Sequence, residues 1–142
     1  MDVTDNSLAT GSATGTVTVA NEAPQAKFNS FSITSPANEG QLVTLSGEFT
    51  DAGLADIHSI DIDWGDGNVE TIVAAGDLVA SPDFSGTQHT YAAGGIYTVT
   101  VTVTDNNGGS VAQTTTAVVQ GAGLFDGVLY VIGTNGKDTV DV

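Results

Sequence analysis

The chain has no cysteine and no arginine, and its only basic residues are Lys27 and Lys137. Without cysteine there is no disulfide framework, no thiol nucleophile and no Cys-based zinc site. Two basic groups against seventeen acidic ones leave a formal net charge of −15. A nucleic-acid interface needs a positive footprint, so that class is excluded, and an anionic membrane surface would repel the chain. No run approaches the roughly 18 consecutive apolar residues that would span a bilayer, so no membrane insertion is expected. No leader opens the chain; the start, "MDVTDNSLATG", reads as part of a longer secreted protein. Aromatics make up 6% of the residues and proline is scarce.

What fills the sequence is valine, threonine and glycine, the composition of strands joined by tight turns. In "IYTVTVTVTD" Tyr97, Val99, Val101 and Val103 alternate with threonines, which predicts a half-buried antiparallel strand. "QLVTLSGEFT" repeats the pattern with Val43, Leu45 and Phe49, "IHSIDIDW" with Ile60, Ile62 and Trp64, and "GTQHTY" with His89 and Tyr91. The segments "DAGLAD", "GDGN", "DLVASPDFSG", "AAGG" and "DNNGGS" between them are turns or loops by composition. Six or seven short strands in about 100 residues predict an all-β, Ig-like antiparallel sandwich with extra β segments at both ends.

An internal echo sets the organisation. "VTDN" occurs at residues 3–6 and again at 103–106, each time leading into a Thr-rich β run. Residues 1–20 therefore read as the closing strand of a preceding repeat, 21–120 as the central sandwich, 121–127 ("GAGLFDG") as a Gly-rich linker, and 128–142 as a β-hairpin or the start of a new repeat. Asn135-Gly136 is a strong two-residue hairpin signal.

"IDIDWGDG" followed by "HTYAAGGIYTVTVTVTDNNGG" resembles the polycystic-kidney-disease (PKD) domain family over about residues 21–120. The likeness departs from the commonest pattern in two places: Trp64 stands directly before Gly65, and "TDAGLADIHS" replaces the usual D-x-D-G loop. It is similar to bacterial forms found in large repetitive surface and secreted proteins. "GTNGKDTVDV" resembles the first half of a hemolysin-type (RTX) Ca²⁺ repeat, with Gly136, Asp138 and Val140 in its G-x-D-x-U places, in competition with the hairpin reading.

The carboxylates of "SIDIDWGDGN" (residues 59–68) invite a catalytic reading. Alternation places Asp61 and Asp63 on the solvent face, opposite a core Trp64. Asp66 lies between Gly65 and Gly67, where an aspartate caps its own turn. A glycosidase-like pair would need a cleft and a raised pKa, and the sequence signals neither. Of the two histidines, His89 is expected in a core or corner hydrogen bond and His58 at the surface. No spacing supports a nucleophilic or zinc site, so the chain reads as a non-enzyme.

The loops of one pole are different. With strands alternating up and down, Asn21, Glu22, Asp51, Asp56, Asp105 and Asn106 gather there, offering the oxygens that Ca²⁺ requires. Ordinary turn chemistry is the alternative for the same residues. The family resemblance implies a Ca²⁺ site at Asn21, Asp51, Asp56 and Asp105. The leading expectation is thus a non-catalytic extracellular or cell-surface structural or adhesive module, stabilised by Ca²⁺ at a junction with neighbouring domains. One rival is a carbohydrate- or polymer-binding accessory module, contacting a polysaccharide or another surface protein through Phe84, Phe125 or Tyr130. The other is a self-assembling subunit, with residues 14–20 adding to a sheet edge and residues 128–134 as the partner.

Overall fold

The computed structural model describes residues 2–4, 10–27, 31–53, 55–73, 84–133 and 139. Thirteen strands follow in order: β1 (Asp2–Thr4), β2 (Thr10–Ser12), β3 (Gln25–Ala26), β4 (Ser32–Ile33), β5 (Ala37–Asn38), β6 (Leu42–Ser46), β7 (Phe49–Thr50), β8 (His58–Asp63), β9 (Val69–Val73), β10 (Thr87–Thr90), β11 (Gly95–Asp105), β12 (Ser110–Phe125) and β13 (Val128–Ile132). One sheet has the order β10-β6-β4, and the larger one runs β13-β12-β11-β8-β9 with β5 also on β12. Two short pairs, β3 with β7 and β1 with β2, complete the pairing. This is the all-β, Ig-like sandwich that the alternation predicts, with additional strands at both ends.

The core follows from the period of two. Along β11 the side chains of Tyr97, Val99, Val101 and Val103 are buried while the intervening threonines face outward. Val43 and Leu45 from β6 and Phe49 from β7 meet them together with Ile60, Ile62 and Trp64 from β8 and its end. Full burial of each such side chain contributes roughly 1.5–3 kcal/mol. Threonine and valine suit these positions because branching at Cβ fits a pleated, half-buried surface.

Trp64 organises one corner. Its ring stacks on His89 at 4.6 Å, and Tyr91 donates its hydroxyl to the Trp64 carbonyl at 2.9 Å. Tyr91 in turn stacks on Tyr97 at 4.1 Å. Burial pushes the Tyr91 phenol well above its ordinary pKa, so it stays a donor. Asp66 caps its turn through the Asn68 backbone N–H at 3.0 Å and also holds His89 Nε2 at 2.8 Å. Gly65 and Gly67 both have positive φ (79° and 91°), and a Cβ on Gly65 would run into the Thr98 carbonyl. The carboxylates of residues 59–68 are therefore structural: Asp63 accepts from the Gly65 N–H, and Asp61 from the Thr71 hydroxyl.

Three expectations change. Residues 121–127 do not form a separate joint: β12 continues through Phe125 and turns back into β13 over Asp126-Gly127. Both turn residues have positive φ (49° and 77°), the two-residue geometry that matches strand twist. Asn135-Gly136, with Asp138 and Val140 of the RTX-like stretch, lies outside the described residues. Within the single chain residues 14–20 form no strand and are exposed, and β13 pairs with β12 and not with them. Phe84 is buried against Phe31 in the core, which removes it as a ligand platform. Tyr130 is exposed on β13.

Candidate metal centre

Asp105 ends β11, where the alternation that buries Val101 and Val103 turns its side chain inward at the pole of the sandwich. The following turn is built on this carboxylate. Oδ1 accepts the backbone N–H groups of Asn107 and Gly109, each at 2.8 Å, and Oδ2 accepts the Asn21 amide at 2.8 Å. The Asn21 hydrogen bond is the largest influence and holds the Asp105 carboxyl below its ordinary pKa; burial opposes it, and the turn N–H groups add to the lowering. Gly109 is required by proximity, since a Cβ there would collide with the Asp105 carboxylate.

Asp51 and Asp56 come from the loop between β7 and β8. Asp51 is buried; Oδ1 accepts the Gly53 N–H at 2.7 Å and Oδ2 meets His58 Nε2 at 2.8 Å. Asp56 is half-buried, its N–H bonded to the Gly53 carbonyl at 3.0 Å and its Oδ1 reached by the Asn107 amide at 3.1 Å. A Cβ on Gly53 would strike the Asp56 carboxylate. The three carboxylates offer oxygens that all lie within 4.8 Å of one another. An open cleft of about 430 Å³ reaches the cluster at Asp56, lined also by Val19, Ala20, Asn21, Glu22 and Asn107 among others.

All four sequence-derived ligand candidates thus meet at one pole. Asn21 sits with them as a donor to Asp105, while Asn106 turns aside to accept the Ile57 N–H at 3.3 Å. Asn107, its neighbour, reaches in instead. Sequence reasoning missed it because "TDNNGG" offers two asparagines and only turn geometry selects between them. His58 was also misplaced: it is buried beside Phe49, ring centroids 4.8 Å apart, and braces Asp51. The signal was its place as the first inward residue of a strand whose next inward residues are Ile60 and Ile62.

The donor set fits a hard divalent cation. It comprises three carboxylates and two amide groups, with no sulfur. No lysine offsets the charge among the described residues: Lys27 pairs with Glu48 at 2.8 Å. Like charges this close are costly unless a cation or hydrogen-bond donors offset them. Here the donors are the Asn21 and Asn107 amides, the loop N–H groups and His58.

Fold and acidic pole together define an Ig-like β-sandwich module. The chain belongs to the PKD domain family, whose profile matches residues 21–120, and PKD domains are structural, non-catalytic modules. A search of curated proteins returned no match. Among solved structures, the PKD domain of an M14-like peptidase from a Thermoplasmatales archaeon is 23% identical, covers 70% of this chain and 98% of its own, and superposes with a TM-score of 0.54. A structure of carbohydrate-binding modules of the β-sandwich superfamily is 24% identical, with 76% of this chain and 38% of that one covered and a TM-score of 0.54. The PKD1 domain of Vibrio anguillarum Epp is 25% identical over 72% of this chain and 99% of its own, with a TM-score of 0.48. The first two likenesses are of fold. No helix among the described residues is long and apolar enough to cross a membrane.

Proposed function

We propose that the chain is a non-catalytic structural or adhesive module of a large extracellular or cell-surface protein, stiffened at its N-terminal pole by Ca²⁺. The observation that carries this reading is the convergence of Asp51 and Asp56, from one loop, and Asp105, from the end of β11, on one point beside Asn21. These four residues would hold the ion, with Asn107 at the rim. A bound cation supplies charge neutralisation, and no chemistry beyond that is asked of it. Tying Asn21 to Asp105 across the sandwich fixes the direction in which the chain enters the module. The neighbouring domains of the same protein are then its principal partners.

Thermal melts in Ca²⁺ against chelator, with calorimetric titration, test this. Extracellular modules bind Ca²⁺ with Kd of roughly 10⁻⁴–10⁻³ M, so a tenfold excess adds about 1.4 kcal/mol by mass action. That raises Tm by several degrees. Asp105→Asn should abolish most of the rise, and an identical melt in chelator and in Ca²⁺ refutes the cation reading. A role in polymer binding would rest on Tyr130; unchanged mobility of the chain in affinity gels containing polysaccharides would count against it.

A further inference from the structure

The short hairpin at the start of the chain repeats the geometry of the long one at the end of the sandwich. In the first, Asp2 pairs with Ser12, Val3 with Gly11 and Thr4 with Thr10. In the second, Thr102 pairs with Ala112, Val103 with Val111 and Thr104 with Ser110. Each pair in the first becomes a pair in the second on adding 100 to both numbers. The sequence agrees at the same offset: Val3, Thr4, Asp5 and Asn6 match Val103, Thr104, Asp105 and Asn106, and farther on Thr14, Thr16 and Val19 match Thr114, Thr116 and Val119. The hairpin register and the set of identities give one correspondence.

The correspondence explains the arm that follows. Val17 and Val19 are 86% and 87% exposed, the most exposed large apolar side chains among the described residues. Their counterparts, Ala117 and Val119, are at 0% in the core. Alternating Val17 and Val19 with Thr16 and Thr18 is the inward–outward pattern of a closing strand that has no sheet to close.

We infer that residues 3–20 are the closing hairpin and strand of a second copy of this sandwich placed directly upstream, and that the Val17–Val19 face is the surface on which that copy's core closes. Ala20 corresponds to Gln120, the last residue of β12 that pairs with β5. The upstream copy therefore ends at the peptide bond before Asn21, with no spacer between modules. Val19 and Ala20 also line the cleft over the acidic pole, so that cleft is walled by two modules. This last point rests on the cation reading; the strand assignment does not.

The test is a fusion in which residues 21–113 are followed directly by residues 14–142, so that the native arm closes a copy of the native sandwich across the native junction. The expected result is a two-module protein. Its calorimetric unfolding enthalpy about doubles, because enthalpy scales with folded residues, and the Val17 and Val19 methyl resonances move to buried positions. Val17 is larger than Ala117, so a Val17→Ala version of the fusion guards against simple overpacking. Val19→Asp should unfold only the upstream module of the fusion and leave the melt of the original chain unchanged. If the added copy stays unfolded in both fusions, or if Val19→Asp leaves it intact, the inference is wrong. None of these readouts needs a cation, so failure of the cation reading would leave them unaffected.

Discussion

His58 holds Asp51 from beneath: its Nε2 lies 2.8 Å from Asp51 Oδ2, and both side chains are sealed from solvent. The other ring nitrogen, Nδ1, has no partner among the described residues, which places the imidazole proton on Nε2, facing the carboxylate. Groups that orient a ligand from behind are worth roughly 10–100-fold in metal affinity. His58→Phe, which keeps the packing on Phe49, is expected to weaken Ca²⁺ binding by about that factor in a calorimetric titration. Near-UV circular dichroism checks that the variant is folded. Undiminished affinity in a folded His58→Phe protein would reduce His58 to a core filler.

Gly53 and Gly109 give a second prediction. A methyl at either position meets a site carboxylate, Asp56 for Gly53 and Asp105 for Gly109. Gly53→Ala and Gly109→Ala should each lower Ca²⁺ affinity by about tenfold or more, equivalent to about 1.4 kcal/mol. An Ala substitution at Gly15, where a Cβ would meet nothing within 4 Å, should leave affinity alone. The titration of the three variants side by side decides the matter.

Acid should destabilise the metal-free module in a defined window. Asp105 is held below its ordinary pKa by Asn21 and its turn. For Asp66 burial opposes ionisation, but hydrogen bonds from His89 and Asn68 outweigh it and the pKa again falls. A carboxylate depressed in the fold adds stability above its unfolded pKa, and loses it as pH drops through the folded value. Melts should change little between about pH 7 and 5, then fall steeply below about pH 4. Asp66→Asn should melt lower than the parent at pH 7 and show a smaller acid drop; a parallel curve would place the acid sensitivity elsewhere.

Trp64 is the chain's one tryptophan, so its fluorescence reports on the core without interference. Emission should be blue-shifted in the fold and red-shift in a single step on unfolding. Trp64→Ala should cost about 3–5 kcal/mol, much of the stability of a domain this size. Tyr91→Phe strands the Trp64 carbonyl and should cost about 1–3 kcal/mol by denaturant titration. A Trp64→Ala protein with an unchanged melt would contradict the packing described above.

The strands and the core were legible because alternation is a local signal: Tyr97 to Val103 and Ile60 to Trp64 declare their faces without reference to anything distant. The convergence of Asp51, Asp56 and Asp105 was legible only through the up-and-down topology. The choice of Asn107 over Asn106 depends on how Asp105 folds its turn, which no spacing encodes. His58 read as exposed because a polar ring at a strand start outweighed the alternation that Ile60 and Ile62 extend to it; its partner, Asp51, lies across a loop. The continuation of β12 through "GAGLF" was hidden by its glycines, which read as a joint. In the fold, Gly94 and Gly121 approach so closely that a Cβ on Gly94 would collide with the Gly121 backbone.

The parallel pairing of β5 with the end of β12 has a mechanical consequence. Val119 lies beside Ala37 and Gln120 beside Asn38, reinforced by the Glu39 N–H to the Gln120 carbonyl at 2.9 Å and the Val118 N–H to Ser35 Oγ at 2.9 Å. The chain enters at Asn21 on the acidic pole, and β12 carries it toward the opposite one, roughly 3.3 Å per residue. Tension between those two points drags β5 backward and β12 forward along their shared direction. The pair is loaded in shear, so its hydrogen bonds bear the force together instead of unzipping one by one.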